Sequence, residues 1–224
     1  MSQQILVIGL GQFGMSFAKA MSAHGNEVIA VDYNARHVSE VAQFVTEARE
    51  LNAMDEQALT ALAPERRDLC LCAIGDENRE ASIIVTALLA QLGAKRVLAR
   101  ATDALHSRIL MRVGATEVVN PEQVFGERLA MRLSWEGVLN ALPLGGDLVI
   151  TEIEAPEAML GRSLAELSLP ARFSVTVAAV RAYLHGATER SSMVPEAHRP
   201  FQRGDTLLLV GSEASTLKLL ERFK

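Results

Sequence analysis

Apolar residues in the first 120 positions occur in short runs that alternate with longer amphipathic stretches. The runs are rich in Ile, Val, Leu and Ala, and most are followed by Gly, Asp or Asn, which is typical of buried strands. They predict strands at 5–8, 28–31, 69–74, 96–99 and 117–119, and a weaker third strand is assigned to the more polar segment 47–51. The stretches between them predict helices at 13–23, 35–44, 55–62, 78–92 and 103–113. Strands separated by single helices form βαβ units, and right-handed crossovers then give a doubly wound parallel sheet.

The pattern changes after Pro121. One more helix is predicted at 122–134, and the stretch 138–147, with one proline and two glycines, has the composition of a linker. Later apolar runs predict strands at 148–153, 174–181 and 206–210, with a short helix opened by the capping-box pair Ser163 and Glu166 and a final helix after Ser212.

We therefore predict an α/β fold, in which a Rossmann-type doubly wound parallel sheet is followed by a second, smaller α+β C-terminal domain. The 224 residues have room for one medium domain and one small one. The predicted bounds are 1–134 for the N-terminal domain, 135–147 for a linker and 148–224 for the C-terminal domain.

Composition excludes several classes of protein. The net charge is −5 and there is no broad basic bias, which argues against a surface for nucleic acid or an anionic membrane. The charge-free stretch 1–18 lacks the positive region of a signal peptide, and the charge-free stretch 81–94 is too short to span a bilayer. Cys70 and Cys72 face the same side of a predicted strand, where a disulfide would be strained. We therefore expect reduced thiols and a cytoplasmic protein.

The strongest chemical pattern is the glycine motif GLGQFG at 9–14. It follows a predicted strand and opens a predicted helix, and Asp32 ends the next strand at the spacing expected for dinucleotide binding. Gly9 permits a tight turn, Gly11 lets phosphates approach the backbone, and Gly14 lets the helix pack closely on the strand. The first-turn N–H groups and the helix dipole favour a pyrophosphate there, and Asp32 would accept hydrogen bonds from ribose hydroxyls. The alternative is a glycine turn without a ligand.

Asp32 also bears on the choice of nucleotide, because its carboxylate would repel a 2′-phosphate and so disfavours NADP. Arg36, one helical turn further on, weakens that preference. Three more loops follow strand ends, where open α/β sheets bind their ligands. These positions give the candidate binding residues Gly9, Gly11, Gln12, Phe13, Gly14, Asp32, Tyr33, Arg36, Asn52, Ala53, Ala73, Ile74, Gly75, Asn78 and Arg100. Arg100 either meets a phosphate or is a surface arginine at a strand end.

The usual catalytic motifs are missing, and we expect no enzyme. Neither Tyr33 nor Tyr183 is followed four residues later by Lys, and no G-x-S-x-G, H-E-x-x-H or C-x-x-C occurs. Of the five histidines, His24, His37, His106 and His198 lie beside polar or helix-end residues, which favours solvated positions; His185 does not. The helix at 78–92 is apolar on several sides and is either core or a subunit interface. Glu122 is favoured by the helix dipole, and a lone carboxylate is a poor metal site.

Several segments of the chain occur in a characteristic order and spacing. In the first domain they are GLGQFG, the aspartate of AVDYN, LNAMDE, CAIGDEN, ARA and GATEVVNPE, and in the second LVITEIEAPEAMLGRSLAEL and RGDTLLLVG. With these segments the chain resembles RCK domains, the TrkA-type regulators of potassium conductance. The resemblance covers nearly the whole chain. It is strongest to the cytosolic gating subunits of Trk/Ktr potassium uptake systems, which carry one N-terminal and one C-terminal RCK domain.

The resemblance implies a regulatory role. Such subunits assemble into rings, typically homo-octamers, bind ATP, ADP, NAD or NADH, and act on a potassium-translocating membrane subunit. It thus implies a protein held peripherally at the inner face of the cell membrane. By motif, phosphates would be held by Gly9, Gly11 and Gly14, the ribose by Asp32, the nucleotide's borders by Asn52, Ala73 and Asn78, and a phosphate by Arg100. Glu122 matches the acid of the family's N-P-E segment, which in some members lies at a divalent-cation site between subunits. The C-terminal domain of some members binds cyclic di-AMP.

Gln12 departs from the family's pattern, because many ATP-responsive members have arginine at this position. Glutamine donates a hydrogen bond but supplies no charge, so the choice between ATP or ADP and NAD(H) stays open. Two other hypotheses remain beside the gating subunit. One is an NAD-dependent oxidoreductase, against which the missing acid–base pair and the small C-terminal domain argue. The other is a nucleotide or redox sensor with a soluble partner.

Overall fold

The computed structural model describes residues 2–75, 78–183 and 190–224. The chain divides into two compact units, Met1–Gln123 and Val124–Lys224. Each unit has its own sheet; among the described residues, two hydrophobic cores belong to the first unit and one to the second. Within the described ranges, none of the helices is both long enough and apolar enough to cross a lipid bilayer.

The first unit is built on a six-stranded sheet in the order β3-β2-β1-β4-β5-β6. Its strands are β1 (Gln4–Ile8), β2 (Glu27–Asp32), β3 (Glu47–Glu50), β4 (Leu69–Cys72), β5 (Val97–Arg100) and β6 (Glu117–Val119). Every neighbouring pair is parallel, which confirms the predicted doubly wound sheet. The strand order reverses between β1 and β4, so the crevice where such sheets bind ligands lies at the carboxyl ends of these two strands.

The helices of this unit follow the strands one by one. They are α1 (Gln12–Ala23), α2 (Ala35–Val41), α3 (Glu56–Thr60), α4 (Arg79–Gln91) and α5 (Ala104–Arg112), and α6 (Pro121–Ser134) begins at its end. Helix α2 is shorter than the predicted 35–44. The ring of Phe44 lies beyond it, with the Lys19 ammonium 4.5 Å from its centroid.

Alternating side chains of the four central strands, β2, β1, β4 and β5, enter two cores, one on each face of the sheet. Leu6 and Ile8 of β1 belong to one core, with the apolar sides of α3, α4 and α5. Ile5 and Val7 belong to the other, with α1 and α2. This two-sided burial explains why the central strands are largely apolar, whereas the edge strand β3 (EARE) is mostly polar and partly exposed.

Cys70 and Cys72 lie on the same face of β4 as free, buried thiols. Burial raises the pKa of the Cys70 thiol to about 12 and also raises the pKa of Cys72. The expectation of reduced core cysteines is therefore confirmed for this unit. His106 differs from its predicted solvated position: it is buried on the inner face of α5, one turn before the buried Leu110.

The second unit contains a five-stranded antiparallel sheet in the order β10-β9-β11-β8-β7. Its elements after α6 are β7 (Val138–Gly145), β8 (Leu148–Glu154), α7 (Leu164–Leu167), α8 (Leu169–Phe173), β9 (Thr176–Tyr183), β10 (Arg190–Met193), β11 (Thr206–Ser212) and α9 (Glu213–Arg222). The predicted α+β character is confirmed. Leu219 and Phe223, at the end of α9, pack into the core of this unit, and the Phe223 ring lies 5.8 Å from that of Phe173.

The segment predicted as a linker, 135–147, is largely a strand instead. Its residues 138–145 form β7, which pairs with β8 through a hairpin at Gly145 and Gly146, both with positive φ. Pro143 is tolerated because β7 is an edge strand and its register shifts beside the proline. The first compact unit ends at Gln123, inside α6, whereas the predicted N-terminal domain ran to 134.

Two polar contacts fix loops of the second unit. Ser163 and Glu166 form the predicted capping box at the start of α7, with the Ser163 N–H donating to Glu166 Oε2 at 2.7 Å. This bond and the Ser163 hydroxyl hold the pKa of Glu166 below its ordinary value. The buried carboxylate of Asp205 accepts both Nη groups of Arg199, at 2.7 and 3.1 Å.

Candidate functional site

In the glycine turn after β1, a side chain would fit at one of the three glycines and would collide with neighbouring atoms at the other two. Gly9 has φ +90°, and a Cβ there would lie 3.1 Å from the backbone nitrogen of Ile74. A Cβ at Gly14 would overlap the carbonyl oxygen of Gly9, so α1 packs on the turn only because Gly14 has no side chain. Gly11 is different, since no atom lies within 4 Å of its ideal Cβ position and its φ is −61°. The fold requires glycine at 9 and 14, whereas a side chain would fit at Gly11.

The N-terminus of α1 is not capped by a side chain. Its N-cap is Gly11, and no acidic residue lies in its first turn. The next four helices differ, because their first turns donate to the side chains of Asn34, Asp55, Asn78 and Asp103. The first N–H groups of any α-helix lack an intrahelical acceptor. Those of α1 have no side-chain cap and suit an anionic ligand.

Asp32 is tied to this turn. Its side chain is buried, Oδ2 accepts the N–H of Leu10 at 2.5 Å, and Oδ1 accepts the N–H of Asn34 at 2.8 Å. The carboxylate thus holds the glycine turn against the end of β2, a role that the motif alone did not reveal. A carboxylate has about four lone-pair sites, so acceptor capacity for sugar hydroxyls remains.

His37 lies beside the candidate residue Asp32, a contact that the sequence interpretation missed. Its Nδ1 lies 3.4 Å from Asp32 Oδ2, and its side chain is 40% exposed, so the predicted solvated position is only half right. The available signal was its place in the first turn of α2, directly after the strand that ends in Asp32.

The loop after β4 lies against the glycine turn. Ala73 is buried and Ile74 is half-buried, and both border the space that a Cβ on Gly9 would need. A Cβ on Gly75 would collide with the guanidinium of Arg100, so this arginine lies directly over the loop. The structure therefore brings the glycine turn, 73–75 and Arg100 together at the carboxyl ends of β1, β4 and β5.

Of the other candidate residues, two asparagines form local hydrogen bonds, and the rest differ in their exposure. The side chain of Asn52 accepts the N–H of Met54 at 3.1 Å, and that of Asn78 accepts the N–H of Ala81 at 3.0 Å. The side chains of Gln12, Tyr33 and Arg36 are exposed, Ala53 is buried, and half-buried Phe13 packs with its ring 6.3 Å from that of Phe17. For these residues a role in binding remains a prediction.

Arg100 is a positively charged candidate residue at the carboxyl end of β5. Its side chain is 15% exposed, Nη2 donates to Glu122, and Nε is buried without a hydrogen-bond partner among the described residues. A buried guanidinium with an unfilled donor fits an anion better than it fits a purely structural position. Together with the empty space at Gly11, this arrangement fits the phosphates of a nucleotide.

Glu122 does not gather the ligands of a metal ion. It lies in the first turn of α6 and pairs with Arg100. Within the described residues of one chain, no three His, Cys, Asp or Glu side chains come together as cation ligands. A divalent cation at Glu122 would need ligands from another molecule, and this role stays a prediction.

Comparison with known proteins identifies the family. Residues 5–121 match the TrkA-N domain, and residues 148–224 match the TrkA-C domain. The chain belongs to the TrkA-N domain family. Its glycine turn, Asp32 and Arg100 all lie within the TrkA-N match, and the antiparallel sheet from β8 onward lies within the TrkA-C match.

Curated relatives cover both TrkA domains. The chain is 32% identical to the Ktr system potassium uptake protein A of Vibrio alginolyticus, over 97% of this chain and 98% of the relative. It is 31% identical to the Ktr system potassium uptake protein C of Bacillus subtilis, over 95% of this chain and 93% of the relative. These proteins are thus similar to the chain nearly from end to end.

Solved structures share the fold at low sequence identity. The GsuK RCK domain superposes with a TM-score of 0.67 at 15% identity, covering all of this chain and 48% of that one. The GsuK channel bound to NAD gives a TM-score of 0.66 at 15% identity, covering 39% of its chain. The chain therefore spans about half of these structures or less, and the predicted RCK fold is confirmed.

Proposed function

We propose that this chain is the regulatory subunit of a potassium uptake system and that it responds to an adenine nucleotide bound at its glycine turn. The end-to-end similarity to Ktr system potassium uptake proteins carries the proposal, because it extends over both TrkA domains and not over the nucleotide-binding fold alone. The open cap of α1 at Gly11 and the charge of Arg100 support a ligand with phosphates.

In this proposal the first turn of α1 binds the diphosphate and Asp32 orients the ribose. The free N–H groups donate to phosphate oxygens, and the helix dipole adds to the attraction. The buried charge of Asp32 disfavours a 2′-phosphate, so NAD(H), ATP or ADP suits the site better than NADP. Exposed Gln12 supplies no positive charge, which removes one reason to prefer ATP over ADP. GsuK structures with this fold are described with NAD and with ADP, so the fold accommodates both classes.

The proposed action is allosteric. A nucleotide that binds two conformations unequally shifts their populations, and a membrane partner reads that shift as a change in potassium flux. We propose that the chain works as a homo-octameric ring at the cytoplasmic face of the membrane, attached to a potassium-translocating subunit of the Trk or Ktr type. No catalytic step belongs to this function. A divalent cation at Glu122 and cyclic di-AMP in the second unit stay predictions and enter no step of it.

The test is potassium flux in a reconstituted system. The chain is co-expressed with the potassium-translocating subunit of the same cell, purified in complex and placed in liposomes, and uptake of radioactive rubidium is measured with ATP, ADP, NAD or NADH. We expect at least one nucleotide to change uptake by the wild-type complex. Gly11→Asp should still co-purify with the membrane subunit but lose the response to nucleotide.

Two results would contradict the proposal. One is uptake that is the same with every nucleotide and in the Gly11→Asp complex. The other is the absence of any membrane partner in pull-downs from solubilised membranes, which would favour a sensor with a soluble partner. Hydride transfer to a substrate, followed by the absorbance of NADH, would instead favour an oxidoreductase.

A further inference from the structure

Arg100 has more hydrogen-bonding capacity than its partner uses. A guanidinium has five N–H donors in a rigid fork. Nη2 donates to Glu122, whereas the buried Nε has no partner among the described residues. The side chain is only 15% exposed, so water reaches little of it. Such a guanidinium makes more hydrogen bonds when an anion with several oxygens replaces a carboxylate that makes a single contact.

The loop after β4 connects the position of Arg100 with that of the glycine turn. Gly75 leaves the space that the guanidinium occupies, since a Cβ there would collide with Nη1. Ile74, the preceding residue, lies against Gly9, with its backbone nitrogen 3.1 Å from the ideal Cβ position of that glycine. The loop 73–75 therefore lies against both the arginine and the turn that precedes α1.

Glu122 is a partner that an incoming anion can displace. Its side chain is 60% exposed, so water can solvate the Glu122 carboxylate when it leaves Arg100. It also lies in the first turn of α6, where the helix dipole stabilises a carboxylate without any arginine. The helix begins in the first unit and its later residues belong to the second, so Glu122 stands at the covalent connection between them.

We propose that Glu122 acts as an internal stand-in for a phosphate: it pairs with Arg100 in the absence of nucleotide, and a phosphate of the bound nucleotide displaces it. This inference rests on the proposed nucleotide site and assigns it a regulatory contact. Binding frees the Glu122 carboxylate at the start of α6, while Arg100 moves its hydrogen bonds to the ligand. By thermodynamic linkage, the pair must weaken nucleotide binding by as much as nucleotide binding weakens the pair.

The exchange predicts an unusual sign for one substitution. Glu122→Gln removes a negative charge from the competing group, so the affinity for ADP or NADH should increase about 2- to 5-fold, the range of an exposed ion pair. Arg100→Gln removes the group for which both anions compete, so affinity should fall roughly 10- to 100-fold. In the Arg100→Gln background, Glu122→Gln should have no further effect, because the exchange no longer exists.

The affinities are measured on the full-length protein by isothermal titration calorimetry, with a chelator present to exclude divalent cations. Glu117→Gln is the matched control: Glu117 is an exposed carboxylate that pairs with Arg96 at 3.0 Å, and its removal changes the net charge equally. Its affinity should equal that of the wild type. Thermal unfolding of each variant verifies that the fold is retained.

The outcomes separate this inference from the proposed function. If the wild type binds nucleotide but Glu122→Gln binds equally or less tightly, the exchange is wrong and the nucleotide site stands. An equal gain of nucleotide affinity in Glu117→Gln would mean that the change in net charge causes the effect, and it would also overturn the exchange. If the wild type binds no adenine nucleotide at all, both the proposed site and the exchange are rejected.

Discussion

Replacing Gly11 with aspartate should leave the first unit folded while removing its affinity for nucleotides. No atom lies within 4 Å of the ideal Cβ at this position, and its φ of −61° and ψ of −176° suit any residue at an N-cap. Aspartate is among the best N-cap residues, because its carboxylate accepts the N–H groups of the first turn. The same N–H groups are those that we propose to hold the diphosphate.

The aspartate should raise the stability of the fold and lower the affinity for nucleotides. Aspartate in place of glycine at an N-cap stabilises a helix by a few tenths of a kcal/mol, which corresponds to about 1 °C in melting temperature for a chain of this size. A carboxylate beside the phosphates costs several kcal/mol, and about 3 kcal/mol is roughly a 100-fold loss of affinity. Gly11→Ala is the matched control, since it adds the Cβ without the charge. Alanine is a poor N-cap and should destabilise the protein by about 0.5 kcal/mol, yet bind nucleotide better than Gly11→Asp.

The assay combines thermal unfolding with calorimetric titration of ADP and NADH for the three proteins. We expect the order Asp, Gly, Ala for stability, and Asp as the weakest binder. Wild-type affinity in a folded Gly11→Asp protein would refute the assignment of the α1 N-terminus as the phosphate site. Unfolding of Gly11→Asp would refute the finding that this position has space.

Three further predictions concern other parts of the molecule. Gly14→Ala should destabilise the first unit by about 1–3 kcal/mol in chemical denaturation, because the new Cβ would overlap the Gly9 carbonyl; an unchanged midpoint would contradict this. Asp205→Ala should cost roughly 3 kcal/mol in the same assay, since Arg199 loses its buried partner. Because the folded pKa of Glu166 is lowered, its contribution is present above the unfolded pKa and is lost as pH falls through the folded pKa. Glu166→Gln should therefore flatten the loss of stability below about pH 4.5, and an equally steep acid limb would contradict the capping box.

The order of elements in the first unit could be predicted because its central strands, β1, β2, β4 and β5, are buried on both faces. Such strands are apolar throughout, and glycines or polar residues mark where each one ends. The two strands that were missed, β7 and β10, are the edges of the antiparallel sheet. Edge strands tolerate Pro143 in one case and the polar Ser191 and Ser192 in the other, so their sequences do not read as strands.

The glycine motif predicted where the candidate site lies, but local sequence patterns could not reveal contacts of the site between residues that are far apart in the sequence. Gly9, Gly14 and Asp32 stand where the motif predicts. The pairing of Arg100 with Glu122 joins residues 22 positions apart, and nothing in either neighbourhood specifies it. The burial of His106 was missed because its polar neighbours outweighed its spacing of four residues from Leu110, which is the signal of a shared helix face.

A crystal structure of the protein grown with saturating ADP tests the phosphate site most directly. We expect the diphosphate to accept hydrogen bonds from the first-turn N–H groups of α1, with the ribose beside Asp32. Electron density for water alone at that turn, or for ADP bound elsewhere in the molecule, would contradict the assignment.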